Sequence, residues 1–134
     1  MAQEDVEVVL DQFAAVNERD FPRAMAHYAE DVELYVDPGA FLTGGKVEGR
    51  EAVGQWFADW FATFEPDYHF DIEEAREVGD SILLIASHRG RGRSSGVDVE
   101  GQTAYVYGVR DGKVMSAALY GSREEALRSI GLAQ

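Results

Sequence analysis

Three kinds of side chain in this sequence are suited to moving a proton next to a carbonyl: a carboxylate at Asp37, an imidazole at His88, and the phenols of Tyr28, Tyr105, Tyr107 and Tyr120. If Asp37 enters an apolar pocket, loss of hydration raises its pKa toward a value useful for taking a proton from carbon. His88, placed near tyrosines, would serve as acid or base in a dehydration or an aldol-type ring closure. A phenol would then hold the developing enolate oxygen. Each residue also has a plainer reading. Asp37 opens Asp37-Pro38-Gly39, a common turn sequence, and a core histidine bonded to a carbonyl or a tyrosine hydroxyl needs no catalytic role.

Other chemistries are poorly supplied. Cysteine is absent, which removes thiolate nucleophiles, disulfides and thiolate metal sites. His27, His69 and His88 lack the spacing of a histidine and carboxylate ligand set, so no metal and no cofactor is expected. Gly44-Gly45-Lys46 lacks the spacing and the following hydroxyl residue of a phosphate loop, and no GxGxxG or GxSxG arrangement occurs. With 12 basic against 25 acidic residues the net charge is −13, which opposes phosphate backbones and anionic lipids; neither nucleic acid nor membrane is an expected partner. Arg89, Arg91 and Arg93 admit three readings: a strand face meeting Asp98 and Glu100 across a hairpin, a short arginine-glycine segment for RNA, or a basic stripe for an acidic ligand. No apolar run approaches a membrane span, and the start MAQEDVEVVL does not read as a signal peptide, so a cytoplasmic location is expected.

Elements must position these groups. Val6, Val9, Leu10, Phe13 and Val16 recur at helical spacing between Glu4 and Asn17. Asp20 caps a short second helix with Pro22 in its first turn and Ala24, Met25 and Tyr28 on one side. A strand over Val32 to Val36 follows, then a glycine-containing loop to Gly49. Residues Arg50 to Phe64 form a third helix with Val53, Trp56, Phe57, Trp60, Phe61 and Phe64 on one broad face. The remainder has period two: strands over Tyr68 to Val78, Ser81 to about Arg93, Val97 to Arg110 and Lys113 to Tyr120, before a last helix from Arg123 to Ile130 capped by Ser122. Helices ahead of a mainly antiparallel sheet predict one α+β domain over residues 1–134, with a curved sheet wrapped around the long helix.

FAAVNERDFPRAMAHYAEDVEL, GGKVEGREAVGQWF, RGRGRSSGVDVEG and VYGVRDGKVMSAALYGSREEAL, in that order, resemble the nuclear transport factor two-like superfamily, in particular its SnoaL-like polyketide cyclase and ketosteroid isomerase branch. The resemblance implies a cone-shaped half-barrel around a pocket, often in a homodimer formed through the outer sheet face. It also bears on single residues. VELYVDP is similar to the end of the first strand of the isomerases, where an aspartate before proline is the general base, with Asp37 one residue late. Gln12 and Tyr105 stand where those enzymes have a tyrosine and a protonated aspartate, so the isomerase oxyanion pair is absent. Scytalone-type dehydratases use histidines and tyrosines, which is the role the resemblance offers His88. SHRGRGR lacks the Arg and Asp pair of the epoxide hydrolases.

Strand parity proposes the lining. Tyr105, Tyr107 and Val109 share one face, as do Leu84, Ala86, His88, Gly90 and Gly92, and the resemblance of ALYG adds Tyr120 with Ser116 and Ala118. Phe13, Tyr28, Trp56, Trp60, Tyr107 and Tyr120 are thus expected to contact a small apolar or aromatic molecule, with Asp37, His88 and Tyr105 as catalytic candidates. Ala104 and Val106 would face outward toward a second copy. The expected function is a cofactor-free cyclase, isomerase or dehydratase; the alternative is a non-catalytic ligand-binding or dimeric interaction domain of the same fold.

Overall fold

The structure is a computed structural model that describes residues 2–37 and 45–131. Helix α1 (Ala2–Asn17) and the short α2 (Phe21–Met25) precede β1 (Tyr28–Val36) and β2 (Gly45–Glu48); α3 (Arg50–Ala62) leads into β3 (His69–Val78), β4 (Ser81–Arg91), β5 (Asp98–Arg110) and β6 (Lys113–Tyr120), and α4 (Arg123–Ser129) follows. The strands form one six-stranded sheet in the order β2-β1-β6-β5-β4-β3. All neighbours are antiparallel except β1 and β6, which run parallel because the intervening helix and strands carry the chain across the sheet before it returns.

The sheet is curved and unclosed, and its concave face is filled by α1 and α3. Val9, Phe13 and Val16 of α1 and Val53, Phe57 and Phe61 of α3 are buried against Leu34, Val36, Leu84, Tyr105, Tyr107 and Leu119. Burying each large side chain contributes roughly 1.5–3 kcal/mol before the entropy of ordering it. Shifts of register between Ile72 and Glu74 on β3 and between Gly108 and Val109 on β5 interrupt the ladder; such irregularities add bend and twist to a sheet.

Local chemistry explains the element ends. Asp20 accepts a hydrogen bond from the Arg23 amide and Ser122 accepts one from the Glu125 amide, the two expected caps. Helix α3 stops at Ala62, two residues earlier than its apolar pattern suggested, because Phe64 bridges to Gly92 and the Glu65 amide bonds to the Arg91 carbonyl. Strand pairing thus takes over where the helix ends. Asp111 and Gly112 both have positive φ, as a two-residue hairpin turn between β5 and β6 requires.

Two expectations are corrected. Tyr28 does not extend the second helix; it opens β1, pairing with Val114, since α2 is only one turn long. Gly45–Glu48 is a strand, not loop: β1 has a free edge beside it, and a four-residue partner covers that edge. Pro38 and Gly39 of the expected turn lie outside the described residues. No described helix is long and apolar enough to cross a membrane.

Candidate functional site

Burial along the concave face falls from one end of the cone to the other. On β4, Ile82, Leu84 and Ala86 are buried, while His88 and Gly90 beyond them are partly exposed; on β5, Tyr107, Tyr105 and Thr103 are buried, while Gly101 and Val99 are partly exposed. Register aligns these changes, because Ile82 pairs with Tyr107, Ala86 with Thr103 and His88 with Gly101. An inner-face side chain that still touches solvent marks the end where the cone is accessible. His88 is at that end.

A polar chain holds it there. The Trp60 indole N–H donates to the Tyr68 hydroxyl at 3.0 Å, and the hydroxyl lies 2.8 Å from His88 Nδ1. Phe70 stacks on the imidazole with ring centroids 5.9 Å apart. Partial burial lowers the His88 pKa, so its neutral form prevails at pH 7. Nε2 has no protein partner among the described residues and lies beside Gly101, where an added Cβ would come within 3.1 Å of it. Arg19 anchors the loop before β3 by donating to the Tyr68 carbonyl at 2.7 Å, with its guanidinium over the Phe61 ring. Gly90 lets β4 pass beneath Tyr68, since a Cβ there would meet the Tyr68 backbone at 2.7 Å.

The opposite end is closed by a second network. Tyr28 donates to Gln12 Oε1 at 2.7 Å, and Gln12 Nε2 donates to the Tyr107 hydroxyl and the Val9 carbonyl at 3.2 Å each. All three side chains are fully buried. Burial raises the phenolic pKa values of Tyr28, Tyr105 and Tyr107 well above the ordinary value and keeps them neutral. Tyr105 stacks on Tyr107 and meets Phe13 and Phe70 edge-on.

A sequence profile described as a SnoaL-like domain matches residues 9–117. The chain belongs to the SnoaL-like family. Its fold is shared with Bal32a, from a soil-derived mobile gene cassette, at a TM-score of 0.80 and 18% identity over 89% of each chain. A protein of Catenulispora acidiphila DSM 44928 with a ketosteroid isomerase-like fold, solved with trimethylamine, aligns at a TM-score of 0.74 and 24% identity over 94% of this chain and 93% of that one. TerC, co-crystallised with polyporic acid, aligns at 0.76 and 18% over 94% and 96%. No curated protein matches. The likeness to these structures shows a shared ketosteroid isomerase-like fold.

Within this SnoaL-like domain the candidate residues fall into separate groups. His88 and Trp60 meet at the open end through Tyr68, and Trp56 stacks on Trp60 at 5.9 Å with the rings nearly parallel. Phe13, Tyr28, Tyr105 and Tyr107 form the packed interior. Asp37 is half-buried at the end of β1, its amide bonded to the Leu119 carbonyl; it lies toward the same end of the sheet as His88, but strand alternation gives it the parity of exposed Tyr35, on the convex face, so the expected inward carboxylate is not brought together with His88.

Tyr120 is a correction. It pairs with Ala104, whereas Tyr105 pairs with Leu119, so Tyr120, Ala118 and Ser116 occupy the convex face while Leu119 and Ala117 face the interior. The register shift between Gly108 and Val109 is what reverses the face of Tyr120 relative to Tyr105. Ala104 does face outward as expected, yet it is buried with Leu83 and Ile85 in a second core beneath Ala126 and Leu127 of α4.

The arginine stripe forms the predicted cross-hairpin pairs: Arg89 meets Glu100 at 3.0 Å, Arg91 meets Asp98 at 3.1 Å, and Arg93 donates to the Ala62 and Phe64 carbonyls. These contacts are those of the strand-face reading of the stripe. Among the described residues no group of three or more histidines and carboxylates could hold a metal. Tyr68 is the residue that site reasoning from sequence missed, and Gln12 was noted only as standing in place of the isomerase tyrosine. Gln12 lies on the buried face of α1 next to Phe13, and a polar residue there was the available signal. Nothing local marks Tyr68, which lies in the loop just before β3.

Proposed function

We propose that this domain binds a small apolar carbonyl compound at the open end of its cone and moves a proton adjacent to the carbonyl, as a cofactor-free isomerase, cyclase or dehydratase. The observation that supports this best is His88: a neutral imidazole on the inner face, backed by Tyr68, with one nitrogen turned away from protein partners. Trp56, Trp60 and Phe70 around it offer flat apolar surface with little entropy to lose. His88 contacts the carbonyl oxygen as the enolate forms, and removal of the proton from the adjacent carbon falls to another group, since Asp37 has the parity of the convex face. Return of that proton to another carbon is isomerisation; attack of the enolate carbon on a second carbonyl closes a ring.

The test is hydrogen–deuterium exchange of α-protons in enone and polyketide-like ketones incubated with the protein in deuterated water. Wild-type exchange should fall at least tenfold in His88→Gln and stay near wild type in Asp37→Asn, a position with the parity of the convex face; undiminished exchange in His88→Gln would sink the assigned role.

A second reading, a non-catalytic ligand-binding or dimeric domain, draws on the closed end, where Tyr28, Tyr105 and Tyr107 are fully buried and Tyr28 and Tyr107 are hydrogen-bonded to Gln12. The convex face supports pairing with a second copy: Tyr35, Val106, Ala118 and Tyr120 border a groove of about 280 Å³, and Tyr35 is 41% exposed. A dimeric mass in light scattering at micromolar concentration is expected, and a monomeric one would remove the pairing.

A further inference from the structure

Hydrogen-bond bookkeeping along the Trp60, Tyr68 and His88 chain leaves one arrangement fully paired. An indole N–H only donates, so the Tyr68 oxygen accepts from Trp60 at 3.0 Å. The hydroxyl proton then needs an acceptor, and His88 Nδ1, 2.8 Å away, is the one in reach among the described residues. A neutral imidazole that accepts at Nδ1 carries its proton on Nε2. The reverse arrangement, Nδ1–H donating to Tyr68, would leave the hydroxyl proton without an acceptor in a largely apolar setting, at a free-energy cost.

We propose that Tyr68, with Trp60 behind it, is a positioning residue that holds the proton of neutral His88 on Nε2, so that the open end of the cone takes a ligand oxygen that accepts a hydrogen bond. The ligand half of this inference rests on the apolar-carbonyl reading above; the tautomer half stands on the geometry of three side chains. Two further features support it. Gly90 and Gly101 are the residues whose missing Cβ atoms allow Tyr68 to lie over β4 and leave room at His88 Nε2. Arg19 fixes the Tyr68 backbone from the opposite side. Polarisation along the chain, from indole to phenol to imidazole, strengthens the last donor in the series. His88 is thereby a donor to the carbonyl oxygen, and removal of the carbon-bound proton falls to another group.

The tautomer is read directly from two-bond proton–nitrogen correlations of histidine-labelled protein at a pH above the His88 titration. Wild-type protein should show the Nε2–H pattern for His88; an Nδ1–H pattern overturns the positioning role. Tyr68→Phe keeps the ring that stacks on Phe64 and removes the hydroxyl, and it should give a mixture of tautomers, whereas an unchanged Nε2–H pattern would show that Tyr68 does not set it. Trp60→Phe should shift the balance in the same direction by less.

Two flat probes then separate the halves of the inference. 2-Acetylnaphthalene, a hydrogen-bond acceptor, should move the His88 Nε2–H signal and bind about three- to tenfold more weakly to Tyr68→Phe. 2-(Aminomethyl)naphthalene, a cationic donor, should not move it. Preference for the amine overturns the ligand half alone, and binding of neither probe overturns it together with the carbonyl reading. An Nδ1–H tautomer overturns the positioning half whatever binds.

Discussion

At the closed end of the cone, Gln12, Tyr28 and Tyr107 meet one another and the Val9 carbonyl, so every polar atom is answered from within the core. At the open end, the chain from Trp60 through Tyr68 to His88 stops short, because the last nitrogen finds no protein partner among the described residues. Both networks run through tyrosine hydroxyls. What separates them is position along the same strands. Two residues beyond Ala86 on β4 the inner face is no longer fully enclosed, and the His88 side chain there is only partly buried. Satisfied polar groups deep in a core specify its packing, whereas a network with an open last member can take a ligand.

That contrast can be broken most forcefully at Gln12. Gln12→Ala would leave two buried phenols without their shared partner and open a cavity, so a loss of about 2–4 kcal/mol is expected in urea denaturation. The His88 tautomer should survive the change. A second substitution attacks the other end: Gly90→Ala pushes a methyl group into the Tyr68 backbone and should cost about 1–3 kcal/mol while also disturbing the His88 signals. If the His88 signals stayed put in Gly90→Ala, the tight passage of β4 beneath Tyr68 would not be what positions the imidazole.

Smaller effects come from titration. His88 has a folded-state pKa below its ordinary value of about 6.5 because burial penalises the charged ring. Below 6.5 the unfolded chain therefore binds more protons than the folded one, and stability should fall as pH drops from 6.5 through the folded value, then level off. Comparing thermal midpoints of wild type and His88→Gln across that window isolates the contribution, and parallel curves would contradict it. Asp11 acts in a separate, more acidic window. Arg23 first and His27 second hold its carboxyl down at about 2, so its contribution, present above the ordinary 3.8, fades as pH falls toward 2. Least affected of all should be Arg89→Ala, since the exposed pair with Glu100 contributes less than about 0.5 kcal/mol.

The sequence was read best where periodicity carries the information. Helical spacing located α1 and α3, period two located the four long strands, and the alternation of glycine and arginine on β4 correctly separated an inner face with His88 from an outer face of paired arginines. Tyr28 was misplaced because a single-turn helix and the start of a strand share no distinguishing period. Tyr120 was misplaced because an unbroken ladder from the Asp111-Gly112 turn would set Ala118 opposite Tyr105 and Tyr120 on the same face, whereas the register shift between Gly108 and Val109 brings Leu119 there instead.

By itself, then, the sequence determined the α+β class, the order of elements, the inward direction of His88 and the pairing of its flanking arginines, since all of these follow from local spacing along one chain. Only the tertiary structure decided which groups meet. Tyr68 is 20 residues from His88 and Gln12 is 95 from Tyr107; no local pattern encodes such encounters, because they depend on how the sheet curves and on which end its helices leave uncovered.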